Sequence, residues 1–320
     1  MKVAVSLVVG LIVGSSLAFA EAGAPVSGVA WLEKVANAAR SLNYSGTFVY
    51  QYGDQVETSR IWHAVEGARE FEKLEVLDGP AREVIRTDDE VLCFYPEIKT
   101  VRVDKRRSKP FPALLPEQLS SLTDYYTVRL GDKERVAGRE AQLLVLDPKD
   151  GLRYGHKLWA DSATGLLLKA RMINERRETV EQFAFTQVSV GVEVDREALK
   201  PQHDAHGPGW KRDSSGIAEP ATDSGWIVRS YPAGFRKIME TKRKLPGRPT
   251  PVSHIVYSDG LAAISIFIEP LSANVRPVSG VSHQGAINIY TRPVADHMVT
   301  VLGEAPSATV VQIGRSVSAK

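Results

Sequence analysis

Apolar and polar positions change period twice along the chain, and the changes divide it. Between Ser27 and Leu42, Trp31, Leu32, Val35 and Ala39 recur at helical spacing behind a serine able to cap the first turn, which predicts one helix. From Tyr44 the period shortens. The stretch YSGTFVYQYGDQVETSRIWH carries aromatic and β-branched residues on both sides of Gly53-Asp54 and reads as a β-hairpin, with Tyr44, Phe48, Tyr50 and Tyr52 on one face. Turn residues then recur at Glu66-Gly67, Asp78-Gly79, Asp88-Asp89, Ala137-Gly138, Asp147 to Gly151, Asp161 to Gly165 and Asn174 to Arg177. Turns at that spacing between β-prone runs predict an antiparallel meander. The alternation is uneven, and Glu70 to Asp78 mixes faces. A large sheet curved around something fits this pattern, and so does a sandwich.

One segment interrupts the meander. KRRSKPFPALLPEQLSSL, Lys105 to Leu122, is basic, then proline-rich and apolar, then helix-like from Pro116. It reads either as a surface loop with a short helix or as a flap over the sheet. Residues 200–225 are rich in proline, glycine and serine and read as a linker. Beyond them, Asp259-Gly260 marks a hairpin, GAINIYTR and DHMVTVLGE a second pair of strands, and Pro306 to Val317 a closing helix. These elements predict a smaller α+β domain over 226–320, after a first domain over 21–199.

The N-terminus places the chain in the cell. Lys2, an apolar run from Val3 to Leu17 and the small-residue exit Ala18-Phe19-Ala20 read as a signal peptide over residues 1–20. The mature protein is expected to begin near Glu21 and, in a Gram-negative cell, to work in the periplasm. Cys93 is the single cysteine, so no disulfide can form within the chain. Flanked by Leu92 and Phe94, it reads as a small buried hydrophobe rather than a reactive thiol.

Charge sharpens the division. A net charge of +2 hides eleven basic against five acidic residues from Gly225 onward, or +6, while the rest of the mature chain has 28 against 33, or −5. A basic domain tethered to an acidic one is expected to meet something negative. Basic residues cluster at Arg102, Lys105, Arg106, Arg107 and Lys109, near the flap, and at Arg236, Lys237, Lys242, Arg243, Lys244 and Arg248 in the second domain. Lipid phosphates and an acidic protein segment suit an exported protein better than nucleic acid does.

Catalytic signatures are missing: no G-x-S-x-G, no H-E-x-x-H, no phosphate loop, no paired cysteines. His203 and His206 lack the further ligands a zinc site needs, so no metal or cofactor is expected. His63, beside Trp62, has no base partner visible in sequence. An enzyme is not expected.

Several long motifs carry a family resemblance: YSGTFVYQ (44–51), RIWH (60–63), LDGPAREVIR (77–86), RVAGREAQLLVLDPKDGLRYGHKLW (135–159), FAFTQV (183–188) and YSDGLAAISIFIEP (257–270). With these the chain resembles the MucB/RseB family of periplasmic regulators of envelope-stress sigma factors, nearer its MucB side. The resemblance spans nearly the whole mature chain. It implies an α+β, mostly β fold: a large, curved, unclosed antiparallel barrel with helices, similar to the lipoprotein carriers, followed by a small α+β domain. It also implies binding to the periplasmic part of a MucA/RseA-like anti-sigma factor, protection of that factor from site-1 proteolysis, and release by lipoprotein or lipopolysaccharide fragments.

The resemblance carries over no contact residues, so candidate sites rest on chemistry. Phe48, Tyr50, Trp62, Phe71, Leu74, Phe94, Leu158 and Phe183 are expected to line an acyl-binding concavity, with Phe111, Leu114 and Leu115 as its lid. Arg236, Lys237, Lys242, Arg243 and Lys244 are expected to hold the acidic partner segment or lipid phosphates. A periplasmic lipid or lipoprotein carrier is the alternative reading, a hydrolase the third. Homo-oligomerisation is left open.

Overall fold

A computed structural model describes residues 27–87, 90–105, 115, 119, 121–214, 219–220, 223–243, 250–271 and 278–320. The expected signal peptide and most of the expected flap, including Phe111 and Leu114, lie outside the described residues.

Helix α1 (Gly28–Ser41) forms where its capping serine and apolar spacing place it. The Ser27 Oγ accepts a hydrogen bond from the Ala30 N–H at 3.2 Å, and Leu32, Val35, Ala36 and Ala39 are buried. Strands follow: β1 (Tyr44–Tyr52), β2 (Gln55–Glu66), β3 (Arg69–Val76), β4 (Glu83–Arg86), β5 (Glu90–Tyr95) and β6 (Thr100–Lys105). After a one-turn helix, α2 (Leu122–Tyr125), come β7 (Tyr126–Val136), β8 (Arg139–Pro148), β9 (Gly155–Asp161), β10 (Leu167–Ile173) and β11 (Thr179–Val190). Each of these pairs antiparallel with its chain neighbour across a short turn, except that β6 and β7 do not pair; β1 and β11 join the two halves. Edge strand β7 does not meet the other edge, so among the described residues the sheet is curved but unclosed.

Curvature has local causes. The ladder slips between Thr47 and Phe48, between Leu130 and Lys133 and between Met172 and Ile173, and such irregularities bend and twist a strand. At the first of them Gly46 lets the backbones close in: a Cβ there would sit 2.5 Å from the Gln187 carbonyl oxygen. One end of the hollow is filled by α1, with Leu119, Leu122 and Tyr126 buried against it.

The stretch expected as a linker is in part a strap. The Trp210 ring packs edge-on against Phe94 on the outer face (5.8 Å, 71°), and β12 (Lys211–Asp213) pairs parallel with β6. Lys73, buried on the same face, donates to the Lys200 carbonyl and pairs with Glu83, both at 2.8 Å; the Glu83 carboxylate accepts the Gln202 N–H. An indole that can be buried outweighs the proline and glycine around it.

The second unit contains β13 (Glu219–Pro220), β14 (Trp226–Val228), β15 (Arg236–Arg243), β16 (Val252–Ser258) and β17 (Ala263–Pro270). It continues with β18 (Gly280–Gln284), β19 (Ile287–Val294), β20 (His297–Gly303), α3 (Ser307–Ser316) and β21 (Val317–Ala319). Both expected hairpins form, as β16–β17 and β19–β20. Ile264, Ile266 and Ile268 alternate toward a core shared with Val299, Val301, Val310 and Ile313.

The two units are joined by a buried ion pair. Arg153, in the turn between β8 and β9, donates from Nε to Asp259 Oδ2 at 2.8 Å, with both side chains 0 % exposed. Its remaining nitrogens reach the Asp150 carboxylate and the Ala233 carbonyl, and the guanidinium lies between the Tyr125 (4.7 Å) and Phe235 (5.2 Å) rings. Gly234 follows at φ +85°, where a Cβ would strike the Tyr125 ring. Thr309 Oγ1 donates to the Leu152 carbonyl at 2.7 Å, and Asn288 Nδ2 to the Tyr154 hydroxyl at 2.8 Å.

Removing one partner strands a charge in the junction. Asp259→Ala is expected to cost about 3–5 kcal/mol, read as a lower urea midpoint, while Arg153→Met with Asp259→Leu recovers most of that loss. A single variant within about 0.5 kcal/mol of wild type would contradict this role for the pair.

Candidate ligand cavity at the domain junction

The unfilled end of the hollow holds a cavity of about 550 Å³. Register builds its floor: Glu57, Tyr50, Phe183, Ala170 and Leu158 are cross-strand partners in one row over β2, β1, β11, β10 and β9. A second row, Leu74, Val84 and Cys93, continues the wall over β3, β4 and β5. Phe48 adds an edge-to-face contact with Phe183 at 6.4 Å. Leu115, buried, closes one side, and the second domain supplies Leu261 and Glu304. The volume and mostly apolar wall with a few polar groups suit a small-molecule or acyl ligand.

Several polar groups in the wall are biased toward neutrality. Burial, and after it the charge of Glu304, push the Glu181 carboxyl up to about 7; burial also raises Glu304. The Tyr50 hydroxyl bonds Glu181, and burial raises that phenol too. His156 is lowered to about 4 by burial, against an opposing effect of Asp259. Burial raises the Cys93 thiol despite Arg86, Arg82 and Arg102 nearby. Arg82 answers the Glu57 carboxylate at 3.0 Å.

Of the residues expected to line the concavity, Phe48, Tyr50, Leu74, Leu158, Phe183 and Leu115 meet at the cavity. Trp62, Phe71 and Phe94 do not. Trp62 lies beneath Arg60 and Lys73, Phe71 beneath Arg69, and Phe94 against Trp210, on the outer face. A one-residue offset along a strand sends a side chain to the opposite face, and the neighbours Ile61, Glu72 and Cys93 point inward instead. Phe111 and Leu114 lie outside the described residues.

Sequence reasoning missed Glu181, Glu304, His156 and Cys93 as cavity residues, and Phe185 as the third ring of the Phe48–Phe183 cluster. The alternation of FAFTQV after Phe183 could have pointed to Phe185; nothing local marks the others. His63 gains a partner the sequence did not reveal, yet it is fully buried. Its ring is pinned between the Leu42 carbonyl (2.8 Å) and Glu70 (2.9 Å) and stacks on Tyr44, a packing role. His203 lies tilted against the Trp210 ring, His206 stands exposed beside Asp204, and no metal-holding cluster occurs among the described residues.

The cationic residues of the second domain run along β15. Arg236 and Lys242 are exposed and form no ion pair among the described residues, whereas Lys237 is held by Glu240. Exposed Ile238 lies between them; Arg243 ends the strand, and Lys244 lies outside the described residues.

Family models for the MucB/RseB N-terminal domain and the MucB/RseB C-terminal domain match residues 27–203 and 220–318. The chain belongs to the MucB/RseB family. It is 34% identical over 291 residues to the sigma factor AlgU regulatory protein MucB of Pseudomonas aeruginosa, covering 90% of this chain and 89% of that protein. It is 26% identical over 309 residues to the sigma-E factor regulatory protein RseB of Escherichia coli K12, covering 96% and 95%. Its structure is similar to the solved complex of P. aeruginosa MucA/MucB (TM-score 0.75, 31% identity, 92% of this chain and 99% of that one). It is likewise similar to MucB in complex with MucA(peri) (TM-score 0.72, 30% identity, 91% and 98%). In this member of the MucB/RseB family, the cavity draws its walls from both family domains.

Cys93 gives a direct readout of the cavity. With its thiolate disfavoured by burial, Cys93 is expected to react with a disulfide reagent near neutral pH at least about tenfold more slowly in the folded protein than in urea. Equal rates would show the thiol lying open to solvent.

Proposed function

We propose that the protein is a periplasmic negative regulator of an envelope-stress sigma factor. It binds the periplasmic segment of a MucA/RseA-like anti-sigma factor, shields it from site-1 proteolysis, and lets go when an acyl chain from a lipoprotein or lipopolysaccharide fragment fills the cavity. The protein acts by binding and carries out no chemistry of its own. Family membership, regulatory relatives and the MucB complexes solved with MucA support this reading.

The observation that carries the mechanism is the shared wall. Because Leu261 and Glu304 belong to the second domain, an occupant of the first domain's hollow touches both units at once. A ligand that fits one domain arrangement better than another shifts the balance between them, and linkage requires partner binding to weaken ligand binding by the same factor. The exposed cations of β15 offer an acidic partner segment a place to dock. A simple lipid carrier would need the hollow but neither the second domain's wall nor its cationic strand.

Two measurements test this. Arg236→Glu with Lys242→Glu is expected to weaken binding to the anti-sigma segment by about tenfold or more while leaving binding of a fluorescent fatty acid unchanged. Loss of neither would favour the carrier. In calorimetric titrations, saturating acylated peptide is expected to raise the partner's Kd by about 5- to 150-fold. An unchanged Kd would remove the release mechanism.

A further inference from the structure

Two carboxylates face the cavity from different domains: Glu181 on β11, and Glu304 directly after β20. Around them, β1 brings Tyr50 and Tyr52, β2 brings Glu57, and the approach to β4 brings Arg82. Strand β5 adds Cys93 and Tyr95, β9 adds His156, and β10 adds Arg171. Both arginines are engaged elsewhere. Arg82 pairs with Glu57, while Arg171 donates to the Gln182 side chain at 2.6 Å and lies over the Trp159 ring. Tyr50 bonds Glu181 and leaves the second carboxyl to face it across the junction.

Two like charges brought together in an apolar hollow repel, and neither is well hydrated there. A single proton relieves both penalties. We infer that Glu181 and Glu304 act as a proton-operated latch between the domains, closed over the cavity while at least one carboxyl is protonated and loosened when both are ionised.

The direction follows from where each group loses its proton. In the closed arrangement burial, then Glu304, hold the Glu181 carboxyl up at about 7. If the domains part, water returns both carboxyls toward the ordinary range near 4.5. The closed form therefore binds the proton more tightly. Closure is favoured as pH falls below about 7 and is lost as pH rises through it, by up to about tenfold in the closed-to-open ratio per pH unit for one proton. His156, which titrates at about 4, stays neutral across this window. Arg153 and Asp259 remain as the pivot about which the junction loosens.

Small-angle X-ray scattering of the whole mature chain from about pH 5.5 to about pH 8.5 tests the latch without lipid or partner. The maximum dimension is expected to rise as the pH climbs toward about 7 and to level off above it. Glu304→Gln removes the like charge beside Glu181, so its transition is expected at lower pH. The double variant Glu181→Gln with Glu304→Gln is expected to keep the compact dimension throughout. A wild-type dimension that does not change with pH overturns the latch, as does a double variant that repeats the wild-type response. Because no ligand enters the measurement, failure of the latch leaves the regulator reading intact.

Discussion

The arrangement of the molecule rests on one buried cation. Arg153 has lost its water entirely, and an unpaired guanidinium there would be costly, so its neighbours are fixed by the need to satisfy it. Asp259 and Asp150 answer its charge, the Ala233 carbonyl accepts a further hydrogen bond from it, and Tyr125 and Phe235 cover its faces. Three of these partners belong to the second unit. The second domain thereby acquires a defined seat on the first, and that seat brings Leu261 and Glu304 over the hollow.

That seat changes what the hollow is. An open sheet with one end filled by α1 would offer a trough exposed to solvent on its free side. With Leu261 and Glu304 in its wall, it becomes a cavity that reports on the position of another domain. The strap along the outer face complements this. Trp210 on Phe94 and the Lys73–Glu83 pair tie the chain down as it leaves the first domain, so the length of free connection between the units is less than composition suggests.

Burial sets the charge of several groups in the cavity wall. The Glu181 and Glu304 carboxyls, the His156 imidazole and the Cys93 thiol are each displaced toward their uncharged forms by burial, which suits an apolar ligand. His63, which is hydrogen-bonded to the Glu70 carboxylate, is sealed beneath Tyr44 and serves to hold β2 against the end of α1.

Most of the elements were legible in the sequence because their causes are local. Ser27 and the spacing behind it specify α1; paired turn residues specify the hairpins; the alternation of Ile264, Ile266 and Ile268 specifies a buried face. Long motifs gave the family, and chemistry gave six of the cavity's apolar residues. Inward and outward faces were decided elsewhere, since Trp62, Phe71 and Phe94 are as apolar as Phe48 and only the ladder register and the strap tell them apart. The same holds for the junction. Asp259-Gly260 announces a turn, and Asp259 does cap it, accepting from the Leu261 and Ala262 N–H groups through Oδ1. That its other oxygen meets an arginine 106 residues away, and that Glu304 comes to face Glu181, are consequences of packing between distant segments, which no local pattern encodes.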